Sequence, residues 1–139
     1  MIDFYDSFGL YIHIPFCSKK CNYCDFYSLP LAKELLERFI RALKLEIRIY
    51  ADKLSSKKLR TIYFGGGTPS LLNSDQIEDV LKYIRSKFIF TEDIEITLEA
   101  NPSSLTFYKL QQYNKCGINR LSIGVQSFLE RELRLLGRR

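Results

Sequence analysis

Four short segments of alternating apolar and polar residues, each followed by a helical pattern, constrain this chain more than any other feature. They span residues 9–15, 59–64, 94–101 and 120–125. Alternation with a period of two reads as a strand with one buried face. In the third segment Ile94, Ile96, Leu98 and Ala100 share one face, and Glu95, Thr97, Glu99 and Asn101 share the other. In the fourth, Leu121, Ile123 and Val125 oppose Arg120, Ser122, Gly124 and Gln126. Leu10, Ile12 and Ile14 oppose Tyr11 and His13 in the first, and Ile62 and Phe64 oppose Thr61, Tyr63 and Gly65 in the second. The helical patterns lie between. Leu36, Phe39, Ile40, Leu43, Ile47 and Tyr50 form one stripe. Ile77, Val80, Leu81, Ile84 and Phe88 form another, with Asn73 or Ser74 as its N-cap. A third run over 103–116 stops at Gly117, a natural helix-ending residue, and a fourth begins after Phe128.

The order βαβαβαβ(α) predicts an α/β fold with a parallel sheet and right-handed crossovers. Parallel strands covered on both faces are almost continuously apolar. These strands alternate, so one face packs on helices and the other lines a cavity. A curved, barrel-like sheet with a ligand in its lumen accounts for that better than a flat doubly wound sheet.

At 139 residues the chain has room for one domain and one core, burying roughly 68% of its unfolded surface. Its composition, 46% hydrophobic and 27% charged, excludes disordered, collagenous and low-complexity classes. No apolar run approaches the roughly 18 residues that span a bilayer. The opening Met-Ile-Asp-Phe-Tyr-Asp carries no basic n-region, so neither a secretory signal nor a transit peptide is expected and a cytoplasmic location is the default. The net charge of +5 suits any anionic ligand. Its basic residues are scattered, and the Lys57, Lys58 and Arg60 cluster reads as a solvated turn.

Cysteine usage is more pointed. Cys17, Cys21 and Cys24 crowd one loop after the first strand, while Cys116 stands apart at a helix end, where a small buried side chain suffices. Three thiolates on one loop can hold three irons of a cubane cluster and leave the fourth iron open. The same spacing suits zinc completed by His13 or Cys116, and the residues alone leave both open. Gly65-Gly66-Gly67-Thr68-Pro69 follows the second strand, where parallel folds bind ligands; it is either a close backbone approach to a ligand or a tight turn. Glu99 ends the third strand, where a carboxylate can accept from ribose hydroxyls, and Gln126 ends the fourth.

Taken in order, Tyr11-Ile-His-Ile-Pro-Phe-Cys17, the Cys-x3-Cys-x2-Cys loop with Tyr23, Gly-Gly-Gly-Thr-Pro-Ser70, Leu-Glu99-Ala-Asn-Pro102 and Ser-Ile-Gly-Val-Gln126-Ser-Phe resemble the radical SAM superfamily. Within it they are most similar to the branch of oxygen-independent coproporphyrinogen III oxidases and HemW-type heme chaperones. The resemblance runs over nearly the whole chain.

It implies a [4Fe–4S] cluster held by Cys17, Cys21 and Cys24, with S-adenosylmethionine chelating the open iron and cleaved by electron transfer to a 5′-deoxyadenosyl radical. Tyr11, Gly66 and Glu99 match residues that contact this S-adenosylmethionine. Tyr23, Gly67, Thr68, Gln126 and Arg138 match positions that hold a second one in the oxidase. Heme or a porphyrin and a reductant protein are the implied partners, and no nucleic acid is expected. The oxidase carries a further cysteine two residues after the third ligand, where this chain has Phe26, and Cys24-Asp-Phe-Tyr-Ser28 follows the heme-chaperone pattern. Family members are much longer, so residues 1–139 are expected to form the N-terminal part of the core domain. The expected structure is a partial barrel of about four parallel strands with outer helices, without the rest of the barrel or the heme-binding C-terminal domain. The rival readings are a porphyrinogen oxidase, a nucleic-acid-modifying member of the superfamily and a zinc-binding module.

Overall fold

The computed structural model describes residues 6–138. In chain order the elements are β1 (Ser7–Ile14), the two-residue β2 (Phe16–Cys17) and β3 (Leu29–Pro30), α1 (Lys33–Leu54), β4 (Lys58–Gly66), α2 (Ser74–Arg85), β5 (Ile89–Ala100), α3 (Phe107–Cys116), β6 (Arg120–Ile123) and α4 (Glu130–Leu135). Strands β1, β4, β5 and β6 pair in parallel in that order, leaving β1 and β6 as edges. The expected open α/β half-barrel is what forms.

The alternation partitions the sheet as the sequence requires. Ile12, Ile14, Ile62, Phe64, Ile96 and Leu98 are buried against Leu36, Ile40 and Ile47 of α1 and Ile77, Val80, Leu81 and Ile84 of α2. Each such side chain contributes about 1.5–3 kcal/mol of transfer free energy. Asn73 caps α2 with a full capping box: its side chain accepts from the Gln76 amide and its own amide donates to the Gln76 side chain. Gly117 ends α3 at φ 109°, a left-handed conformation that a Cβ would strain.

Four departures have local causes. Strand β5 starts at Ile89, five residues ahead of the alternating segment, because a register shift lies between the Leu59–Phe90 and Thr61–Glu95 pairs and breaks the period of two. Helix α3 starts at Phe107 rather than 103: Pro102–Ser104 forms a 3-10 turn, and Thr106 then caps the helix by accepting from the Lys109 amide. Strand β6 stops at Ile123, and Ile123 remains 48% exposed at the open edge instead of joining a covered apolar face. The short pair β2–β3, which no periodicity could announce, brackets the cysteine loop.

Behind the glycine turn the chain is tied down by polar groups. Ser70 is fully buried; its hydroxyl pairs with that of Ser104 and accepts from the Asn101 amide at 3.2 Å. The Tyr113 hydroxyl donates to the Leu72 carbonyl at 2.5 Å, and Lys109 donates to the Ser70 carbonyl. Burial pushes the Tyr113 phenol far above its ordinary value of 10.0. Its un-ionised form is therefore favoured by folding, and its stabilising effect is complete below pH 10 and lost as the pH rises beyond that. Tyr113→Phe leaves a buried carbonyl unpaired. It should lower stability by ~1–3 kcal/mol in urea unfolding at neutral pH and remove part of the alkaline destabilisation.

Candidate functional site

The C-terminal ends of the four long strands gather the chemistry. Two rows of side chains cross the polar face of the sheet. Tyr11, Tyr63, Thr97 and Arg120 are register partners in succession from β1 to β6. One step nearer the strand ends, His13 pairs with Gly65 and Glu99 pairs with Ser122. The first row is a floor: Tyr11 and Tyr63 stack with centroids 6.1 Å apart, and Arg120 reaches Glu95 at 3.2 Å and the Thr97 hydroxyl at 3.3 Å.

Glu99 is gripped at both oxygens. Oε1 accepts from the Tyr63 hydroxyl at 2.7 Å and Oε2 from the Gly66 amide at 3.0 Å. This hydrogen bond pushes the Tyr63 phenol above its ordinary value, and burial adds to it. Tyr11, raised chiefly by burial and secondarily by the Glu99 charge, bonds His13 Nδ1 at 3.0 Å.

The glycine turn approaches the cysteine loop through its backbone. The Gly67 amide donates to the Ile14 carbonyl and the Thr68 amide to the Phe16 carbonyl, each at 2.8 Å. A Cβ on Gly67 would lie 2.6 Å from the Phe16 carbonyl oxygen, and one on Gly66, at φ 108°, 2.6–2.9 Å from the His13 ring. Both positions require glycine for steric reasons. The Thr68 hydroxyl also reaches Cys17 Sγ at 3.6 Å.

Cys17, Cys21 and Cys24 are free thiols, each half-buried. Among the described residues, no three His, Cys, Asp or Glu side chains already form a single-ion site. Cys116 lies in the core, its thiol against the Ser74 carbonyl and its ionisation disfavoured by burial, as a small buried side chain would be. His13, the other suggested fourth zinc ligand, is engaged by Tyr11.

A cavity of about 290 Å³ opens between the turn and the loop, lined by Tyr23, Cys24, Phe26, Gly66, Gly67, Thr68, Glu99, Ser122, Gly124, Gln126 and Arg138, among others. Of the residues singled out from the sequence, Tyr11, Cys17 and Cys21 stay outside this lining: Tyr11 is on the floor beside Tyr63, and Cys24 alone of the three loop cysteines borders the cavity. Gln126 has φ 69°, a left-handed conformation uncommon outside glycine. Arg138 spans the far wall: Nη1 donates to the Gly124 carbonyl at 2.5 Å and the guanidinium lies 5.9 Å from the Tyr23 ring centroid. Its Nε is buried with no hydrogen-bond partner. Sequence reasoning assigned no role to Tyr63 or Ser122, although Tyr63 already stood on the polar face of the alternation.

The radical SAM superfamily model matches residues 11–139. The chain belongs to that superfamily. It is 41% identical over 131 residues to the heme chaperone HemW of Escherichia coli, covering 94% of this chain and 35% of that protein. It is 38% identical to mouse mitochondrial radical S-adenosyl methionine domain-containing protein 1, again over 94% of this chain but 29% of that one. In structure it is similar to coproporphyrinogen III oxidase from E. coli, a radical SAM enzyme, with TM-score 0.88, 35% identity and 94% and 30% coverage. The archaeal Elp3 of Methanocaldococcus infernus shares the fold, with TM-score 0.57 at 16% identity. The chain thus spans about a third of the length of the curated relatives it matches.

Gly67→Ala places a methyl group against backbone rather than a flexible side chain. It should cost ~1–3 kcal/mol in denaturant unfolding and loosen the cysteine loop, read as faster alkylation of Cys17 by iodoacetamide.

Proposed function

We propose that this chain is the cluster- and S-adenosylmethionine-binding part of a HemW-like heme chaperone. The observation that carries the reading is the convergence on one cavity of the cysteine loop, the glycine turn, the Glu99 carboxylate and Gln126, at four successive strand ends. The donor chemistry suits a [4Fe–4S] cluster: three free, accessible thiols on one loop beside an open cavity. The cavity suits S-adenosylmethionine in the same way, with backbone close enough to approach a ligand, a carboxylate for ribose hydroxyls and an arginine with an unpaired buried N–H. When bound, cluster and S-adenosylmethionine together supply one-electron chemistry.

The chain's own residues do the rest. Cys17, Cys21 and Cys24 ligate the cluster. Gly66 and Gly67 admit the nucleoside to the backbone, and Glu99 accepts from its ribose. Tyr11 closes the floor beneath. Tyr23, Thr68, Gln126 and Arg138 present polar and aromatic groups to the remainder of the cavity, where the oxidase-like second S-adenosylmethionine would lie. Phe26 lines the cavity at the position of the oxidase's extra cysteine and carries no ligating atom. That favours a heme chaperone over a coproporphyrinogen oxidase. Heme and a reductant protein would be engaged by the full-length protein, of which residues 1–139 form the N-terminal core part. No described helix is long and apolar enough to cross a membrane.

Anaerobic reconstitution with iron and sulfide tests the reading. About four irons and four sulfides per chain are expected, lost in Cys17→Ala, Cys21→Ala and Cys24→Ala and retained in Cys116→Ala. Stoichiometric zinc with no iron uptake would overturn it.

A further inference from the structure

We propose that Tyr63 is a positioning residue, which fixes the Glu99 carboxylate toward the cavity before any nucleoside arrives. The inference rests on the S-adenosylmethionine reading of the cavity and adds to it a residue outside the ligand's reach.

Tyr63 does not line the 290 Å³ cavity; it stands in the floor row, one step below Glu99. Glutamate on a strand end is a long side chain with several rotamers, and holding one of them costs entropy when a ligand binds. Here the rotamer is already chosen. The Tyr63 hydroxyl and the Gly66 amide take one carboxylate oxygen each, at 2.7 and 3.0 Å. Each oxygen accepts through two lone pairs, so each keeps capacity for a ligand hydroxyl. Hydrogen bonds to a charged acceptor are the strong ones, and this one is only partly exposed.

Tyr63 is itself held in place. Its ring stacks on Tyr11 across β1 and β4, and a Cβ on Gly65 would fall 2.8 Å from the Tyr63 ring and 2.9 Å from that of Tyr11. The absent side chain at Gly65 leaves the two rings room to lie flat. An aromatic ring fixed by stacking on Tyr11, with its hydroxyl on Glu99 Oε1, is a rigid support for a flexible carboxylate. Groups that orient metal ligands from behind typically change affinity or activity by 10- to 100-fold, and Tyr63 stands behind Glu99 in the same way.

The test uses the reconstituted chain and S-adenosylmethionine itself, in equilibrium dialysis, with cluster content and urea midpoint measured on each sample. Tyr63→Phe keeps the ring and its stack and removes only the hydroxyl. It should weaken binding roughly tenfold, the lower end of that range, with iron content unchanged. In a Glu99→Gln background the same substitution should cause little further loss, because the carboxylate it serves is gone. Phenol titration of the unligated chain should show the Tyr63 midpoint fall in Glu99→Gln, with a smaller fall at Tyr11, which feels only the Glu99 charge. Binding by Tyr63→Phe equal to that of the parent chain overturns the inference while leaving the cavity assignment intact. So does an equal loss in both backgrounds, since Tyr63 would then act without Glu99. Failure of the unsubstituted chain to bind S-adenosylmethionine overturns the cavity assignment and the inference with it.

Discussion

The structure depends on one close approach of backbone to backbone. Strands β1 and β4 run side by side to their ends, and the pairing then continues past them: the Gly67 amide bonds Ile14 and the Thr68 amide bonds Phe16. Those two bonds draw the glycine turn under the start of the cysteine loop. They form only because Gly67 leaves the space a Cβ would fill, 2.6 Å from the Phe16 carbonyl oxygen. The rest of the cavity follows. With the turn in place, Gly66 presents its amide to Glu99 on the neighbouring strand, and Thr68 brings its hydroxyl to Cys17. An eleven-residue excursion between β2 and β3 would otherwise be free to place its thiols anywhere; two backbone bonds and the short β2–β3 pair anchor both of its ends.

This dependence explains why so much of the site was legible in the sequence. Strand alternation, helix stripes and the glycine turn are local patterns, and local patterns fix where a parallel strand ends. Cys17, Gly66, Glu99 and Ser122 each stand at such an end, so their convergence needs no long-range information beyond the strand order. What was not legible came from places where periodicity is interrupted. The shift between Leu59 and Thr61 hid the first five residues of β5. Pro102 turned the expected start of α3 into a 3-10 turn, and Thr106, an unremarkable polar residue in sequence, became the cap. Tyr63 was visible only as a polar-face residue, because a hydrogen bond to a partner 36 positions away has no local signature.

The polar floor of the sheet has a cost that its neighbours offset. Thr97 is fully buried on the face that the alternation marks as polar. Its hydroxyl donates to Glu95 at 3.1 Å and accepts from Arg120 at 3.3 Å. A buried hydroxyl without such partners would cost about 1–3 kcal/mol. The row therefore stays polar without instability, and it keeps the face beneath the cavity from collapsing as an apolar core would.

The far wall of the cavity is built from the last residues described, and it is coupled to the cysteine loop as well as to the sheet end. Asn22 donates to the Leu135 carbonyl at 3.3 Å, and the left-handed Gly137 lies against the Asn22 amide. Arg138 then turns back across the opening to Gly124 and the face of Tyr23. These contacts tie the segment after α4 to residues 22 and 23, between the second and third cysteines. A cation over an aromatic ring contributes about 0.5–2 kcal/mol, more as water is excluded. The buried, unpaired Nε of Arg138 is the one strong donor of this clasp with nothing to bond, and an unmet buried donor is costly. A ligand acceptor at that point would remove the cost.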